Sequence, residues 1–251
     1  MNIVVAMKQV PDLQQVRIRG REPVFDDVPL TLGNIDKNAL QAGVDLKETL
    51  GGKVIILSAG NDDLEDTVKE GLAADGDEAY LVLDNKLNNA SSEVIAKVLA
   101  AAMKNIDDVG LALFGEGSAD NYSGQVGPRV AEILGWPEVG FAKKIEIKGN
   151  IAQVVRSLED CEELVEVELP AVITVVSDIN EAPIPSVTKI LKAGKKPRET
   201  VTPDEISADS KSDLKLQVIS NLAPESDRKR VVVKTVEELA AAIKSEGYGG
   251  K

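Results

Sequence analysis

Short apolar runs alternate with longer amphipathic segments up to residue 135, and this alternation constrains the fold more than any other feature. The runs are β-branched and continuous, as is typical of strands that are buried on both faces. They fall at residues 2–7, 53–60, 78–84 and 109–115. The amphipathic segments predict helices over residues 36–52, with Asp36 as the cap, and over 62–74, 90–105 and 121–135. This pattern predicts an α/β fold: a mostly parallel open sheet with helices on both faces.

The pattern changes near residue 141. Four short segments, at residues 141–149, 151–159, 163–170 and 171–177, predict antiparallel strands added to the sheet edge. A last strand and helix are predicted at residues 230–235 and 236–247, and the polar stretch 199–226 predicts an extended arm. We therefore expect an α/β domain over residues 1–198, followed by a C-terminal arm and helix over residues 199–251.

Composition limits the chemistry that the side chains can perform. The chain of 251 residues contains no histidine and one cysteine, Cys161. These counts exclude Ser-His-Asp catalysis, histidine metal sites, zinc clusters and an internal disulfide framework. The formal net charge of −13 argues against a nucleic acid partner, because nucleic acids bind to basic surfaces. Redox chemistry in this chain would therefore need a bound cofactor.

Three features indicate a cytoplasmic protein without direct membrane insertion. No stretch approaches the roughly 20 apolar residues of a membrane span, and the N-terminal apolar run is too short for a signal peptide. The single cysteine also fits a reducing compartment.

The segments that follow three predicted strands point to a ligand site. Parallel strands with right-handed crossovers have their carboxyl ends at one edge of the sheet, where open α/β sheets bind ligands. Ala6, residues 58–60 and residues 115–123 all lie at such strand ends. The last segment is rich in glycine but fits neither the P-loop nor the dinucleotide fingerprint. By itself it is equally consistent with an ordinary turn between a strand and a helix.

A phosphate would be bound in this segment chiefly by backbone groups. The N–H groups from Tyr122 to Val126 precede a predicted helix, and such groups bind anions without a lysine. Ser123 adds a hydroxyl donor. Asp120 is expected to contact ribose hydroxyls or to orient the segment, because a carboxylate that faces a phosphate would repel it.

A basic segment near residue 190 contains apolar residues among its lysines. An apolar centre within a basic rim is typical of a protein docking surface. A solvated basic turn is the alternative, because charge runs are usually exposed. The residues concerned are Val187, Lys189, Ile190, Leu191, Lys192, Lys195 and Lys196.

Five motifs, in chain order, resemble the β subunit of the electron-transfer flavoproteins. They are VVAMKQVPD, DKNALQAGVDLKE, GQVGPRVAEILGWPEVGFA, VVRSLEDCEELVEVELPAVITV and NEAPIPSVTKILKAGKKP, so the likeness covers nearly the whole chain. The resemblance implies a heterodimer in which the α subunit holds one FAD in a mobile domain. The β subunit binds a second adenine nucleotide in its α/β domain, residues 1–198 here. Residues 199–251 are then expected to pack on that domain and on the α subunit.

The resemblance also implies which residues hold the nucleotide. Ala6 and Ala59 lie at the ends of the first two strands. The family's N-P-F-[CD] position is taken by Gly33, Asn34, Ile35 and Asp36, with Gly-Asn in place of the family's Asn-Pro. The phosphate loop is expected to contain Gly115, Glu116, Gly117, Ser118, Ala119, Asp120, Asn121, Tyr122, Ser123, Gly124, Gln125 and Val126.

The length of this loop favours FAD as the nucleotide. Members that bind AMP have a longer loop, whereas electron-bifurcating members bind a second FAD and have a shorter loop that ends in Q-V-G-P. GEGSADNYSGQVGP has the short length and that ending. The resemblance thus implies an FAD that takes a hydride from NADH and sends electrons both to the α-subunit FAD on the quinone side and to a low-potential acceptor. Structural AMP, or a nucleotide-binding module without redox function, are the alternatives.

Two further positions are assigned to protein contacts by the resemblance. The basic segment becomes a recognition surface for a partner dehydrogenase or quinone oxidoreductase, with Val187 in place of the family's anchoring leucine. Arg156 is placed near the α-subunit FAD or the subunit interface, while a surface salt bridge with Glu163 or Glu166 is the alternative. Cys161 is expected to be incidental, because no second cysteine supports a redox role.

Overall fold

A computed structural model describes residues 1–88, 90–211, 218–225 and 230–247 of the chain. The strands are β1 (Asn2–Ala6), β2 (Gln9–Pro11), β3 (Arg17–Arg19), β4 (Glu22–Val24), β5 (Leu30–Leu32), β6 (Val54–Gly60), β7 (Glu78–Leu83), β8 (Val109–Gly115), β9 (Glu138–Lys148), β10 (Ile151–Ser157), β11 (Glu162–Glu168), β12 (Ala171–Val175) and β13 (Arg198–Val201). The helices are α1 (Asn34–Leu50), α2 (Leu64–Ala73), α3 (Ser92–Met103), α4 (Val126–Leu134), α5 (Val187–Ala193) and α6 (Val236–Ser245). Every strand and helix predicted before residue 136 is confirmed.

A nine-stranded sheet forms the centre of the fold, with the order β11-β10-β9-β12-β8-β1-β6-β7-β13. The pairs from β12 through β8, β1, β6 and β7 to β13 are all parallel. Alternate residues of β1 enter different cores, because successive side chains of a strand point to opposite faces. Ile3 packs in one core with Leu40 of α1 and Val68 of α2. Val4 packs in the other core with Val98 of α3, which confirms helices on both faces.

The strand β12 corrects one part of the predicted topology. It was expected as an antiparallel addition, but it lies between β8 and β9 and is parallel to both. All five of its residues are buried, which is the pattern of a central strand covered on both faces. The antiparallel edge is confirmed for β9, β10 and β11, and in the first part of β10 half-buried residues alternate with the buried residues Ala152 and Val154.

The C-terminal part of the chain differs from its predicted course in two places. Residues 198–201 form β13, which pairs with β7 as a sheet strand where an extended arm was predicted. The strand predicted at residues 230–235 is not present, although valine favours strands. Val231 and Val232 are exposed and pair with no described strand. The predicted final helix is confirmed as α6. The arm's residues 212–217 and 226–229 lie outside the described residues.

By contacts, the chain divides into two compact units. The first, residues 1–16 and 25–217, contains the large sheet, the helices α1–α5 and the small antiparallel pair of β2 and β5. The second, residues 17–24 and 218–251, contains the hairpin of β3 and β4 and the helix α6. Within the second unit, the N–H group of Ala223 donates to the carbonyl of Arg21 at 2.7 Å. That residues 199–251 pack on the α/β domain and on an α subunit stays a prediction.

Candidate functional site

The carboxyl ends of β1, β6 and β8 lie side by side at one edge of the sheet. Ala6 pairs with Leu57, and the N–H group of Met7 donates to the carbonyl of Leu57 at 3.0 Å. The hydroxyl of Ser58 in turn donates to the carbonyl of Met7 at 2.5 Å. The structure thus brings the three predicted strand ends together, and the loop of residues 116–125 leads from the end of β8 to α4.

Asp36 is a buried carboxyl group that joins β1, α1 and β8. Its Oδ2 atom accepts a hydrogen bond from the N–H group of Lys8 at 2.8 Å, and the N–H group of Gly115 donates to the same carboxyl. Burial raises the pKa of Asp36 to about 7, although both N–H groups and the charge of Lys8 oppose this rise. At neutral pH the carboxyl is therefore close to the midpoint of its titration.

The predicted role of Asp36 as a helix cap is wrong. The helix α1 begins at Asn34 with Gly33 as its N-cap residue, so Asp36 lies within the first turn. Its side chain occupies space that two glycines leave open. A Cβ atom at Gly33 would lie 2.7 Å from Oδ2 of Asp36, and one at Gly115 would lie 2.6 Å from Oδ1. With 8% of the residue exposed, Asp36 holds the backbone of the site in place.

Lys8 forms an ion pair with Asp120 across the edge. The Nζ atom of Lys8 lies 2.6 Å from Oδ2 of Asp120. Burial alone would raise the pKa of Asp120, but hydrogen bonds from Lys8 and from the hydroxyl of Ser118 hold it below its usual value. Lys8 was missed at the sequence level. Its place directly after a strand that ends at the ligand edge was the available signal.

Two N–H groups of the predicted phosphate loop are used inside the loop itself. The N–H group of Tyr122 donates to the carbonyl of Ser118 at 3.0 Å. The N–H group of Ser123 donates to Oδ1 of Asn121 at 3.2 Å. The sequence predicted that the five N–H groups from Tyr122 to Val126 can bind a phosphate, and two of them already have partners within the loop.

The other three N–H groups, those of Gly124, Gln125 and Val126, donate to no residue that the structure describes. Gly124, with a φ of 62°, and Gln125, the N-cap residue, directly precede α4, and Val126 is its first residue. The N–H groups of a first helical turn have no partner within the helix and favour negative charge. This set of donors suits the oxygens of a phosphate group.

Glu116 and Tyr122 close the loop on itself. Tyr122 has a φ of 49°, and its ring lies against Gly117, where a Cβ atom would come within 3.0 Å of it. A hydrogen bond to the Glu116 carboxylate raises the pKa of Tyr122. The N–H group of Glu116 donates to the carbonyl of Val175 at 2.9 Å. These two residues therefore support the loop from within.

Some predicted residues do not offer their side chains to this edge. The Oε1 atom of Gln125 accepts hydrogen bonds from Ser92 at 3.0 Å and from Nη2 of Arg129 at 3.1 Å, so it joins α3 to α4. Ile35 packs against the core. Asn34 lines a different cavity, next to residues 182–185.

Asn61 was also missed by sequence reasoning. It follows β6 directly, and its Oδ1 atom is buried without a hydrogen-bond partner among the described residues. Its Nδ2 atom donates to Asp63 at 3.0 Å. Buried acceptors without partners are rare, so Asn61 is a further candidate for the strand-end site.

Two other kinds of site are absent from the described ranges. Among these residues, no group of three or more His, Cys, Asp or Glu side chains could hold a metal ion. No helix within them is long and apolar enough to cross a membrane.

The basic segment forms the helix α5, whose apolar side chains face outward. Val187 and Leu191 are each 73% exposed, and Ile190 is 54% exposed. Ala193 is the residue of α5 that is buried. The hydroxyl of Ser186 caps the helix by accepting from the N–H group of Lys189 at 3.4 Å. The structure thus presents the apolar residues of the predicted docking surface to the outside.

The lysines of this segment differ in their surroundings. Lys189 forms an ion pair with Asp75 at 2.5 Å. The Nζ atom of Lys196 donates to the carbonyls of Leu72 and Gly76, at 2.8 and 2.6 Å, so it fastens the segment to the end of α2. The side chains of Lys192 and Lys195 have no partner in the part of the chain that the structure describes.

Arg156 lies on β10 and bonds within its own sheet. Its Nε atom donates to the carbonyl of Gly140 at 2.9 Å, and its Nη1 atom lies 3.1 Å from Glu163. The salt bridge with Glu163 was one of the two alternatives for this residue, and a contact with the α subunit stays a prediction. Cys161 is exposed and free.

Known proteins resemble the chain over most of its length. Residues 24–206 match the family described as the electron transfer flavoprotein domain. An electron transfer flavoprotein subunit beta from Thermoanaerobacterium thermosaccharolyticum is 35% identical over 239 residues, 91% of this chain and 90% of the relative. One from Clostridium acetobutylicum is 34% identical over 257 residues, 98% of this chain and 97% of the relative.

A third relative is the caffeyl-CoA reductase-Etf complex subunit CarD from Acetobacterium woodii. It is 35% identical over 200 residues, 78% of this chain and 76% of the relative. The family match includes α1, the ends of β6 and β8 and the loop that follows β8. The chain therefore belongs to the family of electron transfer flavoprotein β subunits.

Proposed function

We propose that this chain binds FAD at the carboxyl edge of its sheet, as the β subunit of a heterodimeric electron-transfer flavoprotein. The observation that carries the proposal is the set of three unpartnered N–H groups, of Gly124, Gln125 and Val126, at the start of the nine-residue helix α4. They lie where three strand ends meet, the place at which open α/β sheets bind nucleotides. Phosphate oxygens fit these donors without further protein groups.

The side chains of this edge bind and orient the nucleotide. Lys8 adds positive charge close to the loop, and Asp120, its ion-pair partner, suits ribose hydroxyls. Asp36 keeps the ends of β1 and β8 at a fixed separation through its two hydrogen bonds from N–H groups. FAD, when bound, would supply the hydride and electron chemistry that amino-acid side chains do not provide.

The loop length supports FAD over AMP. The segment from residue 115 to 128 has the shorter form and the Q-V-G-P ending of electron-bifurcating members. One relative is named as a subunit of a complex between caffeyl-CoA reductase and an Etf, which supports a partner reductase or dehydrogenase for this chain as well. NADH is then the electron donor. The electrons divide between the FAD of the α subunit, on the quinone side, and a low-potential acceptor.

Docking of the partner dehydrogenase or quinone oxidoreductase is assigned to α5. Three exposed apolar side chains, Val187, Ile190 and Leu191, provide an apolar centre. Lys192 and Lys195 surround it with positive charge on a chain whose net charge is −13. An acidic rim around an apolar pocket would complement this surface.

The nucleotide content of the purified heterodimer tests the proposal. The chain is co-expressed with its α subunit, and FAD and AMP are extracted and counted per heterodimer. Two FAD, with bleaching of the flavin absorbance by NADH, is the expected result. One FAD with one AMP would instead establish the AMP-binding type. A chain that carries no nucleotide and binds no α subunit would refute the proposal in favour of a module without redox function.

A further inference from the structure

Phe141 is an exposed aromatic residue in a strained part of β9. Its φ of 61° is in the left-handed region, which bulky residues rarely adopt, and 44% of the residue is exposed. The pairing of β9 with β10 shifts register between Val155 and Arg156, and its pairing with β12 shifts between Ile173 and Val175. The strand β9 therefore contains a bulge near Phe141, which is seen in its pairing with both neighbouring strands.

The bulge lies at the same sheet edge as the phosphate loop. The loop residue Glu116 donates its N–H group to the carbonyl of Val175, and Val176 donates its N–H group to the carbonyl of Ala142 at 3.1 Å. Two adjacent residues at the end of β12 thus join the loop to the residue that follows Phe141. Two strand spacings separate Gly115 from Ala142, which is roughly 10 Å.

Thr174 connects the bulge to the start of α4. Its hydroxyl accepts a hydrogen bond from the N–H group of Phe141 at 3.2 Å. Its methyl group lies against Gly127, where a Cβ atom would come within 2.7 Å of it. Gly127 directly follows the three residues whose N–H groups have no described partner. The backbone of Phe141 is therefore linked through Thr174 to the first turn of α4, next to the proposed phosphate donors.

The surrounding contacts hold this conformation in place. Arg156 donates from Nε to the carbonyl of Gly140 and pairs with Glu163, so the residue before Phe141 is fixed from β10. Bulges and left-handed conformations persist at binding sites, where they direct a side chain toward a ligand. Phe141 has no polar side-chain atom and a large exposed area, so neither a hydrogen bond nor core packing accounts for its position.

The order of the strands indicates which part of a ligand Phe141 would meet. The ends of β1 and β6 lie on one side of β8 and its loop, whereas β12 and β9 lie on the other side. A mononucleotide whose adenosine lies over β1 and β6 ends at its phosphate. With the adenosine on that side, the part of a dinucleotide beyond its phosphates would lie on the β12 and β9 side of β8.

We propose that Phe141 is a specificity-determining residue that contacts the flavin ring of FAD and so selects the dinucleotide over AMP. The inference rests on the proposed nucleotide site and adds to it the residue that recognises the second half of the ligand. Aromatic rings bind by stacking or by edge-to-face contact, and one such contact is sufficient to decide between two ligands that share an adenylate half.

A competition experiment with the heterodimer tests this role. The wild type and the variants are dialysed against equal concentrations of FAD and AMP, and both bound nucleotides are then extracted and counted. The FAD of the α subunit contributes equally to every sample. The informative variant is Phe141→Asn, because Asn tolerates a left-handed conformation and the bulge is retained. Phe141→Trp keeps an aromatic ring, and Leu164→Asn on β11 removes an exposed apolar side chain elsewhere.

We expect Phe141→Asn to lower the ratio of bound FAD to AMP about tenfold, the usual range for one lost stacking contact. AMP binding alone, measured without FAD, should stay within about twofold of the wild type because its contacts end at the phosphate. Phe141→Trp should restore FAD binding and quench the fluorescence of the bound flavin. Leu164→Asn should leave the ratio unchanged.

An unchanged ratio in Phe141→Asn would overturn the inference, and so would an equal loss of both nucleotides, since Phe141 would then only support the loop. A wild type that binds AMP and rejects FAD would overturn it as well, while the nucleotide site would stand. If the wild type bound neither nucleotide, the proposed function itself would fail. The four results are distinguishable in one set of measurements.

Discussion

The carboxyl edge of the sheet, where the nucleotide is proposed to bind, and the helix α5 present two opposite kinds of surface. At the edge, the side chains of Asp36, Asp120 and Tyr122 are all bonded to other parts of the protein, and the backbone N–H groups of residues 124–126 remain for a ligand. On α5, the backbone is satisfied within a capped helix, and the side chains of Val187 and Leu191 remain for a partner.

This difference determines what a substitution can do. A change at the edge alters contacts between strand ends, so it affects both folding stability and nucleotide binding. A change on the outer face of α5 removes no buried contact, so it affects the encounter with a partner and little else. Four substitutions test this separation, from the largest expected effect on the chain to the smallest.

Replacing Asp36 by Asn should remove a pH dependence of stability. The pKa of Asp36 is about 7 in the folded chain and 3.8 as its ordinary value, so the folded state keeps the proton over that interval. Its contribution is thus complete below about pH 4 and is lost as the pH rises through 7. Between pH 5 and 8 the wild type should lose about 3 kcal/mol of unfolding free energy relative to Asp36→Asn. Urea unfolding at several pH values measures this.

Asp120→Asn is the matched control for that measurement. Lys8 and Asp120 are the charged groups that act on Asp36, and the pKa of Asp120 is lowered, so Asp120 stays ionised over the same interval. Because the charge of Asp120 is the smallest of the causes that shift the pKa of Asp36, its replacement should move the pH range slightly downward and keep the decline of stability with pH. Parallel pH profiles for the wild type and Asp36→Asn would contradict the buried, half-titrated state of Asp36.

The regular half of the fold was predictable from the sequence because each of its elements carries its own local pattern. The strands β1, β6, β7 and β8 are apolar runs separated by amphipathic helices, and local periodicity is sufficient to assign both. The position of β12 was not predictable in the same way. Its insertion between β8 and β9 depends on a long-range pairing, and the five-residue run that forms it is too short to show its direction.

The site was predictable where it depends on strand ends and not where it depends on side-chain contacts. The sequence led to the loop of residues 115–126 because the carboxyl ends of parallel strands are known positions. It did not reveal that Lys8 pairs with Asp120, 112 residues away, or that Asp36 is buried against Gly115. Such contacts depend on the packed geometry of α1 against β8, which no local pattern encodes.

Replacing Ser123 by Asp should weaken nucleotide binding without unfolding the chain. Ser123 is exposed, and a carboxylate there would face the free N–H groups of residues 124–126 and repel a phosphate. The same charge favours a helix N-terminus by roughly 0.5 kcal/mol, so stability should not fall. We expect a loss of at least about tenfold in AMP affinity, measured by calorimetry. Ser123→Asn, which has the same shape without the charge, should lose less than about threefold.

Equal affinities for Ser123→Asp and Ser123→Asn would place the phosphate away from α4. In that case contacts to the ribose and adenine near β1 and β6 would have to provide the binding energy. The carboxyl edge would then no longer bind its ligand through backbone N–H groups, which is its difference from α5.

Replacing Lys8 by Met should have a smaller effect that still involves both stability and binding. The ion pair of Lys8 with Asp120 is partly exposed, so its loss should cost about 0.5 to 1 kcal/mol of unfolding free energy. Nucleotide affinity should fall several-fold because positive charge is removed beside the loop. The backbone N–H group of residue 8 still donates to Asp36, so the site should keep its shape.

Lys53→Met separates these two effects. Lys53 pairs with Glu78 and is similarly exposed, but it directly precedes β6, at the opposite end of that strand from the nucleotide edge. Its replacement should cost a similar amount of stability and leave nucleotide affinity unchanged. If both lysine variants bound the nucleotide as the wild type does, Lys8 would have only a structural role.

Replacing Val187 by Glu should have the smallest effect on the chain itself. Val187 is 73% exposed at the start of α5, where an acidic residue is favourable for the helix, so unfolding free energy and nucleotide content should not change. Electron transfer to the partner should slow, because the apolar centre of the docking surface would carry a charge. Stopped-flow measurement of flavin reoxidation by the partner dehydrogenase, at several protein concentrations, separates weaker docking from slower chemistry.

Lys196→Met completes the comparison from within the same segment. Lys196 donates to two carbonyl groups at the end of α2, so its loss should lower stability by about 1 kcal/mol, unlike the loss of Val187. If the segment docks through its outer face and is anchored through its inner face, Val187→Glu should slow electron transfer and Lys196→Met should lower stability. If Val187→Glu lowered stability while transfer stayed fast, α5 would be part of the core and the partner would dock elsewhere.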